Sequence, residues 1–243
     1  MKKIFVLLVL FGFQIGHSQK LTKKDFLTIE KNIYKEALHN FDLDAAKNAI
    51  YQIIGVEGEQ SKYIDSLAYL YFNQQKYLSC VSVADKILQK EKKLPILELK
   101  AVSLENLNAI KEAIAAYEQV FAQKKEPFVA YKLANLQHKL KRSAEAYTTL
   151  KSTENGNFPP KASVSFPTAK KGVTQQVPLK AAYYNLLAMT SYDLHNYDLA
   201  TGYFEKALQV YPEFFVAKQN KQAIELMQKK LQSKPQESNK TNK

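Results

Sequence analysis

Apolar residues along this chain recur with the spacing of an α-helix, and the helices they predict come in pairs. Tyr63-Ile64-Asp65-Ser66-Leu67-Ala68-Tyr69-Leu70-Tyr71 predicts one helix, polar Asn73–Lys76 a turn, and Tyr77-Leu78-Ser79-Cys80-Val81 through Ile87-Leu88 a second helix. The same arrangement returns at Ala181-Ala182-Tyr183-Tyr184-Asn185-Leu186-Leu187-Ala188, with a turn at Leu194–Asn196 and a second helix from Tyr197-Asp198-Leu199-Ala200 through Phe204 and Ala207. A small residue early in each second helix sets the register: Ala46, Cys80, Ala113, Ala146 and Ala200, spaced 34, 33, 33 and 54 apart. The last interval is one period plus about 20 residues. One helical turn later stand Ile50, Ala84, Tyr117, Leu150 and Phe204, and a further turn gives Ile53, Ile87, Val120 and Ala207, where the fourth unit offers Thr153 instead.

Each unit of this kind is an antiparallel helix pair that covers one apolar face with its own partner and another with the next pair. Several are needed before a core is closed. Pro95, Pro127 and Pro212 fall at unit ends, where a missing backbone N–H does least harm. Residues 213–231 carry Val216, Ala223, Ile224, Met227 and Leu231 on one helical face, which predicts a terminal capping helix.

With these residues in view, the chain resembles the tetratricopeptide-repeat family. The best match is 181–214, through Tyr184, Leu187, Ala188, Tyr197, Ala200, Phe204, Ala207 and Pro212. Residues 61–93 match through Leu67, Ala68, Tyr71, Tyr77 and Cys80, and 94–126 through Leu97, Ala101, Leu104, Ala113, Tyr117 and Val120, with Lys100 where the family usually has an apolar residue. Residues 127–153 match through Leu133, Ala134 and Ala146, and 27–60 are degenerate. The resemblance implies an all-α, right-handed α-solenoid. Its expected organisation is a degenerate first helix pair at 19–60, three units at 61–153, an insertion at 154–178, a further unit at 179–214, a capping helix at 213–231 and a basic disordered tail at 232–243.

The two ends and the insertion break the pattern. Met1-Lys2-Lys3 followed by the apolar run Ile4–Phe13, with Gly16 and Ser18 beyond it, reads as a secretion signal at 1–18 cleaved after Ser18. The expected location is periplasmic or secreted, with no transmembrane segment after cleavage. Residues 154–178 hold half of the chain's eight prolines. Val164–Phe166 and Val173–Val177 flank Ala169–Gly172, so this insertion is either a short β-hairpin or a mobile loop. Phe158, Phe166, Lys170 and Lys171 are its candidate exposed contacts.

Composition narrows the chemistry. The 243 residues carry a net charge of +12, of which Lys2 and Lys3 supply +2 and Lys229–Lys243 +4, leaving +6 across residues 19–228. Arg142 is the sole arginine. Nucleic acid is therefore not an expected partner, since bidentate phosphate and base-edge recognition relies on arginine. Seven glycines and one cysteine leave no Gly-rich phosphate loop, no disulfide framework and no multi-cysteine metal site. Cys80 occupies the small-residue position of its unit and is expected to be buried and inert. His39, His138 and His195 share no metal-ligand spacing, and no serine lies in a nucleophile elbow. No catalytic residue, cofactor site or metal site is assigned, and the chain is expected not to be an enzyme.

A binding surface is the remaining expectation. In the family that this chain resembles, the first helices of successive units line a concave groove for peptides or partner segments. The register places Lys31, Lys35, Asp65, Tyr69 and Phe72 on that face, then Glu98, Val102 and Glu105, then Tyr131, Asn135 and His138, and last Asn185, Met189 and Tyr192. The family's carboxylate clamp is not matched, because Lys31 is followed by Lys35 and the next unit offers Asp65 and Ser66. The expected function is an exported scaffold or adaptor that binds a protein partner in the bacterial cell envelope, as a subunit of a larger complex. An alternative is a peripheral envelope protein that holds anionic lipid or glycan through its lysine-rich surface and tail.

Overall fold

A computed structural model describes residues 21–232. The expected signal at 1–18 and the tail beyond residue 232 lie outside the described residues. Contacts divide the chain into two compact units, residues 1–66 and 67–243.

The first unit contains α1 (Lys23–His39) and α2 (Leu43–Glu57), packed against each other, and the start of α3 (Tyr63–Asn73). Thr22 opens α1 with a reciprocal cap. Its hydroxyl accepts from the Asp25 N–H at 3.1 Å, while the Asp25 carboxylate accepts from the Thr22 N–H at 3.2 Å. Asp42 caps α2 through the Ala45 N–H at 2.9 Å. Ala37, Ala46, Ala49, Ile50 and Ile53 form the buried seam of this unit.

The second unit continues α3 and adds α4 (Tyr77–Lys90), α5 (Leu94–Asn106), α6 (Ile110–Gln123), α7 (Pro127–Lys139) and α8 (Ser143–Lys151). Two strands follow, β1 (Ser163–Pro167) and β2 (Thr174–Pro178), then α9 (Leu179–Asp193), α10 (Tyr197–Val210) and α11 (Phe215–Gln232). Helices pack as pairs, α5 on α6, α7 on α8 and α9 on α10, and successive pairs join through α4 on α5, α6 on α7, α8 on α9 and α10 on α11. The first helices α7 and α9 also touch directly. Pro95 and Pro127 lie in the first turns of α5 and α7.

The register residues have the burial their spacing predicts. Ala46, Cys80, Ala113, Ala146 and Ala200 are wholly buried, and so, nearly, are Ile50, Ala84, Tyr117, Leu150 and Phe204 one turn later. Thr153, the exception, is also buried. α8 ends at Lys151, and the Thr153 hydroxyl meets the Tyr183 hydroxyl at 2.8 Å. Lys100, the other exception, reaches across to Asp85 on α4, Nζ to Oδ1 2.6 Å.

One turn geometry repeats with the same period. Phe41, Gln75, Asn108, Lys141 and His195 all have φ between 56° and 61°. The next residue's N–H closes back on the first helix in each case: Asp42 to the Ala37 carbonyl, Lys76 to Tyr71, Ala109 to Leu104, Arg142 to Gln137 and Asn196 to Ser191, at 2.8–3.0 Å. This is a Schellman closure built without glycine at the left-handed residue.

Of the two alternatives for the insertion, the structure shows the hairpin. The strands β1 and β2 are antiparallel, with Val164 opposite Val177 and Phe166 opposite Gln175, and Gly172 takes φ 78° in the turn. Two expected contacts need correction. Phe158 and Phe166 are not displayed outward. Phe158 meets the Tyr183 ring edge-on at a centroid distance of 5.0 Å, and Phe166 meets Phe214 at 4.8 Å. Both rings are half-buried, and partly covering them outweighs full exposure once the hairpin lies on α9 and the start of α11. Lys170 and Lys171 stay exposed at the turn. The capping helix is also rotated from its expected stripe. Ala217 and Ile224 are buried, Val216 and Met227 half-buried, and Ala223 exposed.

Candidate interaction surface

Within the second unit, α3, α5, α7 and α9 place the groove candidates in three environments. Tyr69 and Tyr192 are open to solvent, at 41% and 39% exposure. Phe72, Asn135, His138 and Met189 are half-buried, with Phe72 edge-on to Tyr77 at 5.9 Å. Tyr131 and Asn185 are buried, at 5% and 2%. Tyr131 therefore belongs to the packing between helices and is corrected as a groove contact. Burial first, and the Glu105 carboxylate second, raise its phenol pKa above the ordinary value.

In the first unit, Lys31 donates to the Glu57 carboxylate at 2.7 Å and lies 5.6 Å from the Tyr63 ring. The hydrogen bond to Glu57 is the main reason its pKa is raised. Lys35 is exposed and Asp65 half-buried.

Glu98 and Glu105 on α5 and His138 on α7 are all satisfied within the protein. Glu98 takes Lys124 at 3.3 Å, and Glu105 takes Lys132 at 3.1 Å and the Tyr117 hydroxyl at 2.7 Å. His138 Nε2 lies 3.0 Å from Asp193 Oδ2, which also accepts from the Ser143 hydroxyl at 2.6 Å. This places a serine, a histidine and an aspartate together, but not as a nucleophilic relay. The serine donates to the carboxylate, and the imidazole meets that same oxygen, so the imidazole is not placed to take the serine proton. The cluster ties the end of α7 and the start of α8 to the end of α9. A cleft of about 420 Å³ beside it is lined by Lys141, Arg142, Ser143, Glu145 and Asp193. Among the described residues, no three His, Cys, Asp or Glu side chains converge on a metal-sized point. Cys80 is wholly buried, which raises its thiol pKa.

Two arrangements escape a sequence reading. Glu154, the first residue of the insertion, accepts from Lys151, from Lys206 at 3.1 Å and from the Tyr203 hydroxyl at 3.4 Å. Burial alone would raise its pKa, but the hydrogen bonds from Lys151 and Lys206 prevail and hold it below the usual carboxylate value. The side-chain amide of Gln175 on β2 lies 3.0 Å from both the Glu213 carbonyl and the Phe215 N–H, and with its amide turned to suit both it donates to the first and accepts from the second at the N-terminus of α11. The partners of Glu154 at 203 and 206, and those of Gln175 at 213 and 215, are about 40 to 50 residues away in the chain, where no local period points to them.

No protein-family model matches the sequence, and no curated protein matches it. Solved structures do. MamA from Desulfovibrio magneticus RS-1 superposes with a TM-score of 0.58 at 14% identity, over 79% of this chain and 99% of that one. YrrB, described as a tetratricopeptide-repeat protein with an unusual peptide-binding site, gives 0.63 at 11% identity, over 84% and 94%. A tetratricopeptide-repeat protein from Parabacteroides merdae ATCC 43184 gives 0.60 at 15% identity, over 84% and 74%. At these identities the likeness speaks for the fold alone. The chain has the fold of the tetratricopeptide-repeat proteins.

Proposed function

We propose that this protein is a non-catalytic scaffold that binds a protein partner along the face formed by its first helices. The observation that carries this reading is the combination of exposed aromatic anchors with carboxylates and an imidazole that are already paired within the chain. Tyr69 and Tyr192 stand open on that face, while Glu98, Glu105, His138 and Asp193 are all paired within the chain. Tyrosine supplies a large amphipathic contact at low entropic cost, which is why it is enriched at binding hot spots. The peptide-binding site described for YrrB, a protein of the same fold, supports the same reading.

The apolar run at residues 4–13 supports export, and with it a partner in the bacterial cell envelope, within a larger complex. Among the described residues, no helix is long and apolar enough to cross a membrane.

The test is a native pull-down of the full chain from solubilised envelopes, compared with a Tyr69→Ala/Tyr192→Ala double variant. One or two proteins captured in stoichiometric amount by the parent chain and lost with the variant support the reading. Capture that persists with the variant sinks it. So does binding to anionic vesicles that salt abolishes and the variant leaves unchanged, which would point to the lysine surface.

A further inference from the structure

We propose that the hairpin inserted between α8 and α9 is a second docking site, where the open edge of β2 takes an extended, acidic partner segment as a third strand. This site lies apart from the face formed by the first helices and does not rest on the groove reading.

The register fixes which backbone groups are free. The Leu179 N–H donates to the Ala162 carbonyl at 2.8 Å, and the Thr168 N–H to the Val173 carbonyl at 3.0 Å, one pair at each end of the ladder. Hydrogen-bonded pairs alternate along an antiparallel ladder, so Val164 with Val177 and Phe166 with Gln175 are the bonded pairs between them. Ser163 and Ser165 on β1, and Thr174 and Gln176 on β2, therefore turn their N–H and C=O groups away from the neighbouring strand. All four residues are exposed, and among the described residues no other backbone bonds to these groups. β1 packs on both α9 and α11, whereas β2 packs on α9, into which it runs, so the β2 edge is the more open. A strand edge with unused donors and acceptors is a template for another strand. Pro178, which has no N–H, ends that edge, so Thr174 and Gln176 are its two rungs.

Charge decides the occupant. Residues 155–180 hold Lys161, Lys170, Lys171 and Lys180 and no acidic residue, so they carry +4 of the +6 found across residues 19–228. All four lysines are exposed. Lys161 and Lys180 flank the base of the hairpin, and Lys170 and Lys171 its turn. At about 3.4 Å per residue, the strand between them holds the two lysine pairs roughly 20 Å apart. An extended segment of about six to eight residues spans that distance, and carboxylates near its two ends meet one lysine pair each. The outward face of the sheet carries Ser163, Ser165, Thr174 and Gln176, so the segment needs no apolar anchor. An anionic lipid surface would be drawn to the same lysines but would leave the strand edge unused.

The probe is an end-blocked octapeptide of Thr and Val with Glu at both ends, and its binding to the full chain is read by fluorescence anisotropy. One control replaces Glu by Lys. Two more are N-methylated on alternate residues, one for each edge of the peptide. The acidic peptide is expected to bind, and to bind less well as salt rises. Methylation of one alternate set is expected to weaken it about tenfold or more, and methylation of the other to change little, because an added strand uses one edge. Hydrogen exchange at the Thr174 and Gln176 amides is expected to slow in the complex. Lys170→Gln/Lys171→Gln is expected to weaken binding about tenfold and to flatten its salt dependence. Tyr69→Ala/Tyr192→Ala is expected to leave it unchanged. The inference falls if the basic peptide binds as well as the acidic one, if the two methylated sets behave alike, or if exchange at 174 and 176 does not slow. It also falls if phosphatidylglycerol vesicles bind the chain and the acidic peptide does not, which assigns the lysines to a lipid surface. If Tyr69→Ala/Tyr192→Ala abolishes peptide binding, the peptide sits in the groove, and this site fails while the groove stands.

Discussion

Two joints between helix pairs set the regular part of this molecule against its interrupted part. Between α6 and α7 the chain needs three residues, Lys124–Glu126, before Pro127 starts the next helix. Between α8 and α9 it uses 154–178 and more, yet the helix pair that follows resumes the same internal spacing and the same left-handed turn at His195. The short joint is closed by helix geometry and a surface ion pair, Lys124 with Glu126 at 3.4 Å. The long joint is held by a buried aromatic seam, Phe158 on Tyr183 and Phe166 on Phe214, and by the Glu154 cluster. The difference shows that the repeat unit here is the helix pair with its turn. The joint between pairs is free to vary provided that it supplies its own core.

The strongest way to break the comparison is to remove the seam. Tyr183 is fully buried, and its hydroxyl meets Thr153 and the Leu150 carbonyl. Tyr183→Ala is expected to lower the unfolding free energy by about 3–5 kcal/mol in urea titration, against about 1–3 for Tyr183→Phe, which keeps the ring but leaves Thr153 and Leu150 short of a partner. If alanine costs less than about 1 kcal/mol, the insertion is not part of the core.

Glycines offer a sharper contrast. A Cβ on Gly156 would lie 2.8 Å from Pro127 Cγ, whereas one on Gly202, inside α10, would meet nothing within 4 Å. Gly156→Ala is expected to cost about 1–3 kcal/mol, and Gly202→Ala to gain about 0.5–1. Thermal melts of the two variants should move in opposite directions.

Glu154 adds a pH test. Its folded pKa is depressed, so its contribution is present above the ordinary carboxylate range and lost as pH falls through the folded value. Glu154→Gln is expected to cost about 1–2 kcal/mol at neutral pH. The difference from the parent chain should shrink below about pH 4, where the unfolded carboxylate takes up its proton. A difference that does not change with pH would mean that packing, not charge, holds the joint.

The turns carry the smallest effect. Lys141 has φ 61°, and Lys141→Gly removes the left-handed penalty of a Cβ. A gain of up to about 1 kcal/mol is expected in the same melts, with similar behaviour at His195, the equivalent residue after the insertion.

Much of this fold was legible in the chain, because a helix writes its burial locally. Ala46, Cys80, Ala113, Ala146 and Ala200 are small because second helices come close there, and their spacing is readable without any partner. The candidate site was less legible. Tyr131 and Asn185 sit at the register position of Lys31, Asp65 and Glu98, which are half-buried, yet both are buried, where α7 and α9 touch directly. A register says which face a residue is on, not how near the neighbouring helix comes.

The sequence by itself determined the helix pairs, their period, the buried small residues and the near absence of arginine, all matters of i, i+3 and i+4 spacing or of composition. Only the tertiary structure decided that Phe158 and Phe166 turn inward, that Glu154 gathers Lys151, Lys206 and Tyr203, that Gln175 caps α11, and that His138 and Ser143 meet on Asp193. Each of these rests on at least one contact between groups 25 or more residues apart along the chain. Their stability comes from the removal of solvent and the meeting of hydrogen-bond partners, which no local pattern encodes.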